Sequence, residues 1–239
     1  GNTRSASFVV TFNPSFTAPT NNTLSGFVRN SGGLADDWKP FSEFSLSGFT
    51  TLTPTPAPNS TTINLNLLLH GLGKGGDSSN PGSGGNANPK RVQRTVKVEL
   101  FNSQNQLALT KEGNVSFDSA TGSFKGTVDL GSSFSTGVYT TKIKSDQFLK
   151  KLIPGIQSLT QGQTNTLPQA TLTSGDVNND NRIDILDYNI FIDCYSDITP
   201  AKNCSDPVKK QNADITDDSE VNQFDYNLFL RELNNIRGE

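Results

Sequence analysis

The sequence predicts a mainly β protein, with one or more β-sandwich domains followed by a small α-helical domain at the C-terminal end. Charged residues make up only 18% of the chain, and Gly, Ser, Thr and Asn are abundant. This composition suits strands joined by turns. Alternating apolar and polar runs recur at about the 8–12-residue spacing of a β-sandwich. Two runs with helical spacing follow in about the last 70 residues.

The clearest strand patterns lie in the middle of the chain. They cover residues 62–70, 94–101, 106–109, 115–117, 122–130, 137–143 and 161–172. Shorter β-like runs occupy residues 7–12, 24–29 and 44–52. A Gly-rich insert at residues 71–89 lacks the spacing of a phosphate-binding loop, so we expect a flexible surface loop and no nucleotide site.

A Thr-Pro repeat at residues 51–58 is typical of a stiff linker. We therefore expect three parts: an N-terminal β segment with its linker (1–58), a β-sandwich domain (59–173) and a C-terminal domain (174–239).

The composition also indicates the compartment. The chain has no Met, for which removal of a signal peptide is the simplest explanation. No apolar run approaches the ~20 residues that span a bilayer. An extracellular or cell-surface location would allow a disulfide between Cys194 and Cys204, with two reduced core thiols as the alternative.

Charge is divided unevenly along the chain. Residues 1–170 hold 14 Lys/Arg and 9 Asp/Glu, whereas residues 171–239 hold 6 and 14. The acidic residues of the second part recur at fixed offsets between apolar residues, so they differ from a disordered acidic tail. That pattern indicates bound cations.

The C-terminal region contains an internal repeat. Residues 176–192 and 214–230 align with a constant offset of 38, which indicates a duplicated unit. Each copy places oxygen-bearing side chains at positions 1, 3, 5, 9 and 12 of a twelve-residue loop and offers a main-chain carbonyl at position 7, as in an EF-hand calcium loop. The predicted ligands of two Ca²⁺ ions are Asp176, Asn178, Asp180, Arg182 (carbonyl), Asp184 and Asp187, and then Asp214, Thr216, Asp218, Glu220 (carbonyl), Asn222 and Asp225.

The two loops differ from a full EF-hand and from each other. Position 12 is Asp in both, and position 6 is Asn181 or Ser219 in place of Gly. The second loop has three ligand carboxylates against four in the first, so we expect weaker calcium binding there. Ile183 and Val221 at position 8 are expected to pair the loops through a short β-like contact.

No helix precedes either loop, and an apolar helix follows each one. Tyr188, Phe191 and Ile192 are expected on one face, as are Tyr226, Phe229 and Leu230. This duplicated loop-then-helix pattern over residues 174–235 resembles the dockerin module of cellulosome proteins. The resemblance implies that the module binds Ca²⁺, folds on binding it and inserts into a cohesin module.

Loop positions 10 and 11 differ from those of many dockerins. Many dockerins carry small hydroxyl residues at loop positions 10 and 11, whereas this chain has Ile185-Leu186 and Gln223-Phe224. These larger residues could contact a β-domain of this chain or of a neighbour.

Upstream, the run from Gly137 to Lys144, with Phe148, Ile153 and Gly162, resembles the prealbumin-like sandwich modules of cell-surface proteins, which implies a structural spacer.

The residues do not predict an enzyme. The single His70 ends an apolar strand and is expected to be structural, and the nine acidic residues before the repeat are scattered. Trp38 is expected in a core and not at a sugar site.

We therefore expect an extracellular calcium-binding adaptor that docks onto a cohesin-like module, with no nucleic-acid partner. The alternative is a self-assembling subunit of a filament or surface layer, in which residues 5–12 add a strand to another copy. A third reading is an accessory module of a polysaccharide-degrading complex.

Overall fold

The computed structural model describes residues 25–26, 39–40, 59–197, 199–201, 204–233 and 237–239. The predicted runs at 7–12 and 44–52, the linker at 51–58 and Trp38 lie outside the described residues. The chain divides into two compact units, Gly1–Thr55 and Pro56–Glu239. The domain boundaries expected after residues 58 and 173 stay predictions.

The first unit contains one described strand pair. Strand β1 (Ser25–Gly26) is antiparallel to β2 (Lys39–Pro40).

The second unit is built on a nine-stranded sheet with a small two-stranded sheet beside it. Its strands are β3 (Thr61–Leu69), β4 (Gln93–Phe101), β5 (Leu107–Asp118), β6 (Ser123–Gly131), β7 (Gly137–Ser145), β8 (Gln147–Phe148), β9 (Lys151–Leu152), β10 (Gln157–Leu159), β11 (Thr164–Thr166), β12 (Ala170–Leu172) and β13 (Ser174–Asp176). We call the part up to β12 the β-domain.

The large sheet is curled, which confirms the expected mainly β, sandwich-like fold. Its order is β10-β7-β4-β5-β6-β3-β11, with β12 also on β3 and β9 also on β7. The long β5 pairs with β4 over residues 107–116 and with β6 only over residues 116–118. The sheet encloses a core that includes Ile63, Leu67, Val96, Val98, Phe124, Val128 and Ile143.

Two strand predictions differ from the structure. The runs predicted at 106–109 and 115–117 form one continuous strand, β5. The run predicted at 161–172 forms two short strands, β11 and β12, both parallel to β3. Pro168 lies between them and has no N–H to donate to the ladder, which explains the break.

The Gly-rich insert is partly buried, so the prediction of a flexible surface loop is wrong for its first half. Residues 71–77 are buried except for Lys74, whereas residues 79–85 are exposed. The backbone folds on itself: Gly71 N–H donates to Gly76 O, and Asn86 N–H donates to Gly71 O, both at 2.8 Å. Glycine permits such close backbone approach.

Three helices follow the sheet: α1 (Ile185–Cys194), α2 (Pro207–Ala213) and α3 (Gln223–Glu232). The helix expected after each loop is confirmed. The short α2 was missed, although Asp206 as its N-cap and Pro207 at its first position are ordinary helix-start signals.

The residues predicted to share one face of α1, and those predicted to share one face of α3, differ in their burial. Phe191 and Phe229 are buried and stack with ring centroids 5.9 Å apart and an 8° interplanar angle. That stack sets the rotation of both helices, and it leaves Ile192 and Leu230 41% and 44% exposed.

The only histidine links the β-domain to α3. His70 is buried, and its Nδ1 lies 2.8 Å from Oε1 of Glu232, which is also buried. Ser78 Oγ donates to the other oxygen of Glu232.

Among the helices of the described residues, none has the length and apolar character needed to cross a membrane.

Candidate metal centre

Each candidate calcium loop starts at an aspartate and ends in the first turn of a helix. The first loop (residues 176–187) starts at Asp176, the last residue of β13, which pairs with β8. The second loop (residues 214–225) starts at Asp214, the C-cap of α2. Sheet and helix thus fix where each loop begins.

The aspartate at position 12 ties the two ends of its loop together. In the first loop, Oδ1 of Asp187 accepts from the N–H of Asn178 (3.0 Å), and Oδ2 accepts from the N–H of Asp184 (2.9 Å). The second loop repeats both bonds, from Thr216 and Asn222 to Asp225, at 2.8 and 3.0 Å.

The residue at position 9 caps the following helix. Asp184 and Asn222 are the N-caps of α1 and α3, and each completes a capping box with the position-12 aspartate. The same side chains that are candidate ligands therefore also satisfy free N–H groups at a helix start. The short side chain of Asp at position 12 reaches the backbone N–H of the N-cap residue three positions earlier.

Positions 1 and 5 are matched in the two loops as well. Oδ2 of Asp176 accepts from Asn181 N–H (3.1 Å), and Oδ2 of Asp214 accepts from Ser219 N–H (2.8 Å). At position 5, Asp180 and Asp218 accept from the N–H of Arg182 and Glu220, both at 2.9 Å. Arg182 and Glu220 at position 7 are exposed, and the predicted ligand at that position is the main-chain carbonyl.

Left-handed backbone occurs twice in each loop. At position 6, Asn181 and Ser219 have φ of 70° and 88°. Position 4 is also left-handed, with φ of 62° at Asn179 and 55° at Asp217. The left-handed backbone at position 4 was not predicted from the sequence, although Asn and Asp are the residues that enter this region most readily.

Burial of the candidate ligand carboxylates is electrostatically unfavourable without a cation. Burial raises the pKa of Asp187 and Asp225, and it raises that of Asp214 to about 7. The pKa of Asp176 is also raised by burial, with Lys144 acting in the opposite direction. A bound cation would remove this cost.

The oxygen-rich donor set fits a hard cation such as Ca²⁺. In the second loop, carboxylate oxygens of Asp214, Asp218 and Asp225 all lie within 4.8 Å of one another, the only such acidic group among the described residues. In the first loop, Oδ1 of Asp176 is buried without a hydrogen-bond partner among them. An ion in either loop would complete these contacts.

A lysine lies beside the first loop. Lys144 of β7 donates to Oδ2 of Asp176 at 2.6 Å. The sequence did not indicate this contact, because the two residues are 32 positions apart and on different strands. The ammonium offsets one of the four ligand carboxylates counted for the first loop.

The residues at positions 10 and 11 face solvent. Ile185, Leu186 and Phe224 are 64%, 54% and 71% exposed, and Gln223 is exposed. Phe224 also lines a pocket together with Gly84 and Asn86 of this chain's β-domain, which was one of the two possibilities left open. We call these four residues the docking surface.

The predicted disulfide is present, and it links the end of α1 to the segment that precedes α2. Cys194 at the end of α1 bonds to Cys204, with Cα atoms 4.7 Å apart.

The β-like contact expected between Ile183 and Val221 is wrong. Both side chains are buried, but they lie in different apolar clusters, and the described residues contain no bridge between them. The N–H of Ser196 donates to Val221 O instead, at 2.9 Å.

Comparison with known proteins identifies the C-terminal module. The family model of the dockerin type I domain matches residues 174–234, which confirms the resemblance found in the sequence. Among solved structures, the chain is similar to a crystal structure of a type II cohesin-X-dockerin complex, a C-terminal interface mutant, from Acetivibrio cellulolyticus. The match has 16% identity and a TM-score of 0.44, and it covers 72% of this chain and 94% of that chain. No match was found among the curated proteins.

Proposed function

We propose that this chain is a docking protein whose type I dockerin module binds two Ca²⁺ ions and then presents its docking surface to a partner protein. The observation that carries the proposal is the duplicated loop. Its ligand side chains make matching hydrogen bonds in both copies, and three carboxylates converge in the second. Bound ions would supply the charge that holds these oxygens together.

The expected partner is a cohesin-like module. Ile185, Leu186 and Phe224 lie at the starts of α1 and α3, between the candidate ligands at positions 9 and 12, so the shape of the loops determines where they point. Large apolar residues exposed at the start of each helix support a protein-binding role. The partner should therefore offer an apolar contact face.

In this proposal the chain has a structural role and no catalytic one, outside the cytoplasm. The disulfide supports an oxidising compartment. The β-domain would act as the spacer that carries the dockerin module.

Binding to a panel of purified cohesin modules, in calcium and in chelator, tests the proposal. We expect capture by at least one cohesin in calcium and its loss in chelator. Phe224→Asp should weaken capture at least tenfold. Val138→Asp is the matched control, because Val138 is 51% exposed on β7 of the β-domain. Capture that survives chelation, or that Phe224→Asp leaves unchanged, would contradict the proposal.

A further inference from the structure

One turn of the β-domain contacts both candidate calcium loops. We call it the joint (residues 144–148), which runs from the end of β7 through β8. The N–H of Gln147 donates to Oδ1 of Asn179 at 2.8 Å, and β8 pairs with β13 where the first loop begins. Asn179 is position 4 of that loop, so the joint fixes the first loop at positions 1 and 4.

The side chain of Gln147 reaches the second loop. It is 1% exposed, and its Nε2 lies within hydrogen-bond distance of three main-chain carbonyls. These belong to Gln211 (2.9 Å), Asn212 (2.8 Å) and Asp214 (3.0 Å). They lie at the end of α2 and at position 1 of the second loop. One neutral side chain therefore holds the chain where it enters that loop.

Two arginines extend the joint to position 4 of the second loop. Oε1 of Gln147 accepts from Arg91 at 2.6 Å and from Arg94 at 3.1 Å. Arg91 Nε and Arg94 Nη2 also donate to the carboxylate of Asp217, at 2.8 and 3.1 Å. Asp217 is 2% exposed. Its burial is thus compensated by two charged partners from the β-domain.

Position 4 is equivalent in the two loops and contacts the β-domain in both. It lies between candidate ligands at positions 3 and 5, has left-handed backbone, and directs its side chain to the β-domain. Holding it in place restricts the backbone that carries both neighbouring ligands. Restriction before binding lowers the conformational entropy lost when an ion binds.

We propose that Gln147 and the two position-4 residues, Asn179 and Asp217, are positioning residues for calcium, through which the β-domain sets the affinity of each loop. This inference rests on the proposed function, because it presupposes that the loops bind calcium. It means that the dockerin module and the β-domain work as one calcium-binding unit.

Calcium titration of the full chain tests the inference by calorimetry after chelator treatment. Single-loop backgrounds resolve the sites: Asp187→Asn leaves the second loop to be measured, and Asp225→Asn leaves the first. Gln147→Met keeps the shape of the side chain and removes its hydrogen bonds. We expect it to weaken the second loop at least tenfold.

The matched control is Gln157→Met. Gln157 is also buried, and its Nε2 donates to the carbonyls of Pro154 and Gly155 within the β-domain, with no contact to a loop. It should leave both calcium affinities within twofold of the parent chain. If Gln147→Met fails to fold, the Asn179 variants, measured in the first loop, still test the inference.

In the first loop, Asn179→Gly removes the acceptor but tolerates the left-handed backbone, and it should weaken binding at least fivefold. Asn179→Asp keeps an acceptor, matches the residue of the second loop, and should bind at least as tightly as the parent chain. If the parent chain binds two ions and these variants behave like Gln157→Met, the inference is overturned while the proposed function stands. If the parent chain binds none, the proposed function itself fails.

Discussion

At the scale of single residues, the aspartates do several tasks at once. Asp187 and Asp225 each complete the capping box of a helix, close a loop and are candidate ligands of an ion. The sequence predicted them as ligands because their spacing repeats. It did not predict Lys144, Gln147 or the role of position 4, because those contacts join residues far apart in the chain.

The buried Asp214 makes the stability of the calcium-free chain depend on pH. Its pKa is raised from 3.8 to about 7, so between these values the folded chain binds more protons than the unfolded chain. Stability in chelator should therefore fall as pH rises through this window. The melting temperature should drop between about pH 4 and pH 7 in chelator.

Calcium should replace the proton, so the same series in calcium should not show this drop. Asp214→Asn should flatten the curve in chelator. A melting temperature that rises with pH in chelator would count against the buried, protonated Asp214.

Lys144 should reduce calcium affinity at the first loop, because its ammonium contacts Asp176. Lys144→Gln should therefore tighten the first loop by roughly three- to tenfold, the effect of one unit charge near a divalent ion. Lys125→Gln is the control, since Lys125 pairs with Asp118 away from the loops. Calorimetry that finds weaker binding in Lys144→Gln would reverse this assignment.

Lys144 also bears on the expectation that the second loop is the weaker one. That expectation came from counting carboxylates, and a lysine beside the first loop reduces the difference. The relative affinity of the two loops stays a prediction, which the single-loop backgrounds will decide.

At the scale of elements, local signals predicted the parts that follow a regular pattern. Alternation located the main strands, and the apolar runs located α1 and α3. The break at Pro168 and the start of α2 at Asp206-Pro207 also have local causes, which are visible in the sequence. The burial of residues 71–77 has no local cause, since it depends on packing against the second loop and α3.

Gly71 fits closely against α3. A Cβ at this position would lie 2.4 Å from Cδ2 of Leu228, and its φ is +84°. Gly82 has a φ of +76° with nothing within 4 Å, so it has the same backbone strain without the clash. Gly71→Ala should therefore destabilise the chain by roughly 1–3 kcal/mol more than Gly82→Ala, through overpacking. Urea unfolding of the pair measures this, and equal losses would contradict the contact.

The disulfide should stabilise the segment after α1. Cys194 and Cys204 are separated by 10 positions, so the bond closes a short loop. Replacing both with Ser should cost roughly 2–3 kcal/mol by the chain-entropy estimate. Denaturant unfolding with and without reductant checks this: reductant should destabilise the parent chain and leave the double variant unchanged. A reductant effect of equal size in both would contradict the assignment.

At the scale of the molecule, the division of charge and the internal repeat predicted an acidic, cation-binding C-terminal module. The sequence did not predict how firmly that module is held. Arg91, Gln147 and His70 of the β-domain all bind groups in the C-terminal module. A dockerin module that is joined to the β-domain only through a flexible linker would need none of these contacts. They therefore indicate that the orientation of the module on the β-domain is fixed.

The number of calcium ions bound per chain is the most direct test of the account. Calorimetric titration of the chelator-treated full chain should give two, and Asp187→Asn and Asp225→Asn should each reduce the number to one. Binding of no ion, or two ions that persist in both variants, would contradict the assignment of the paired loops.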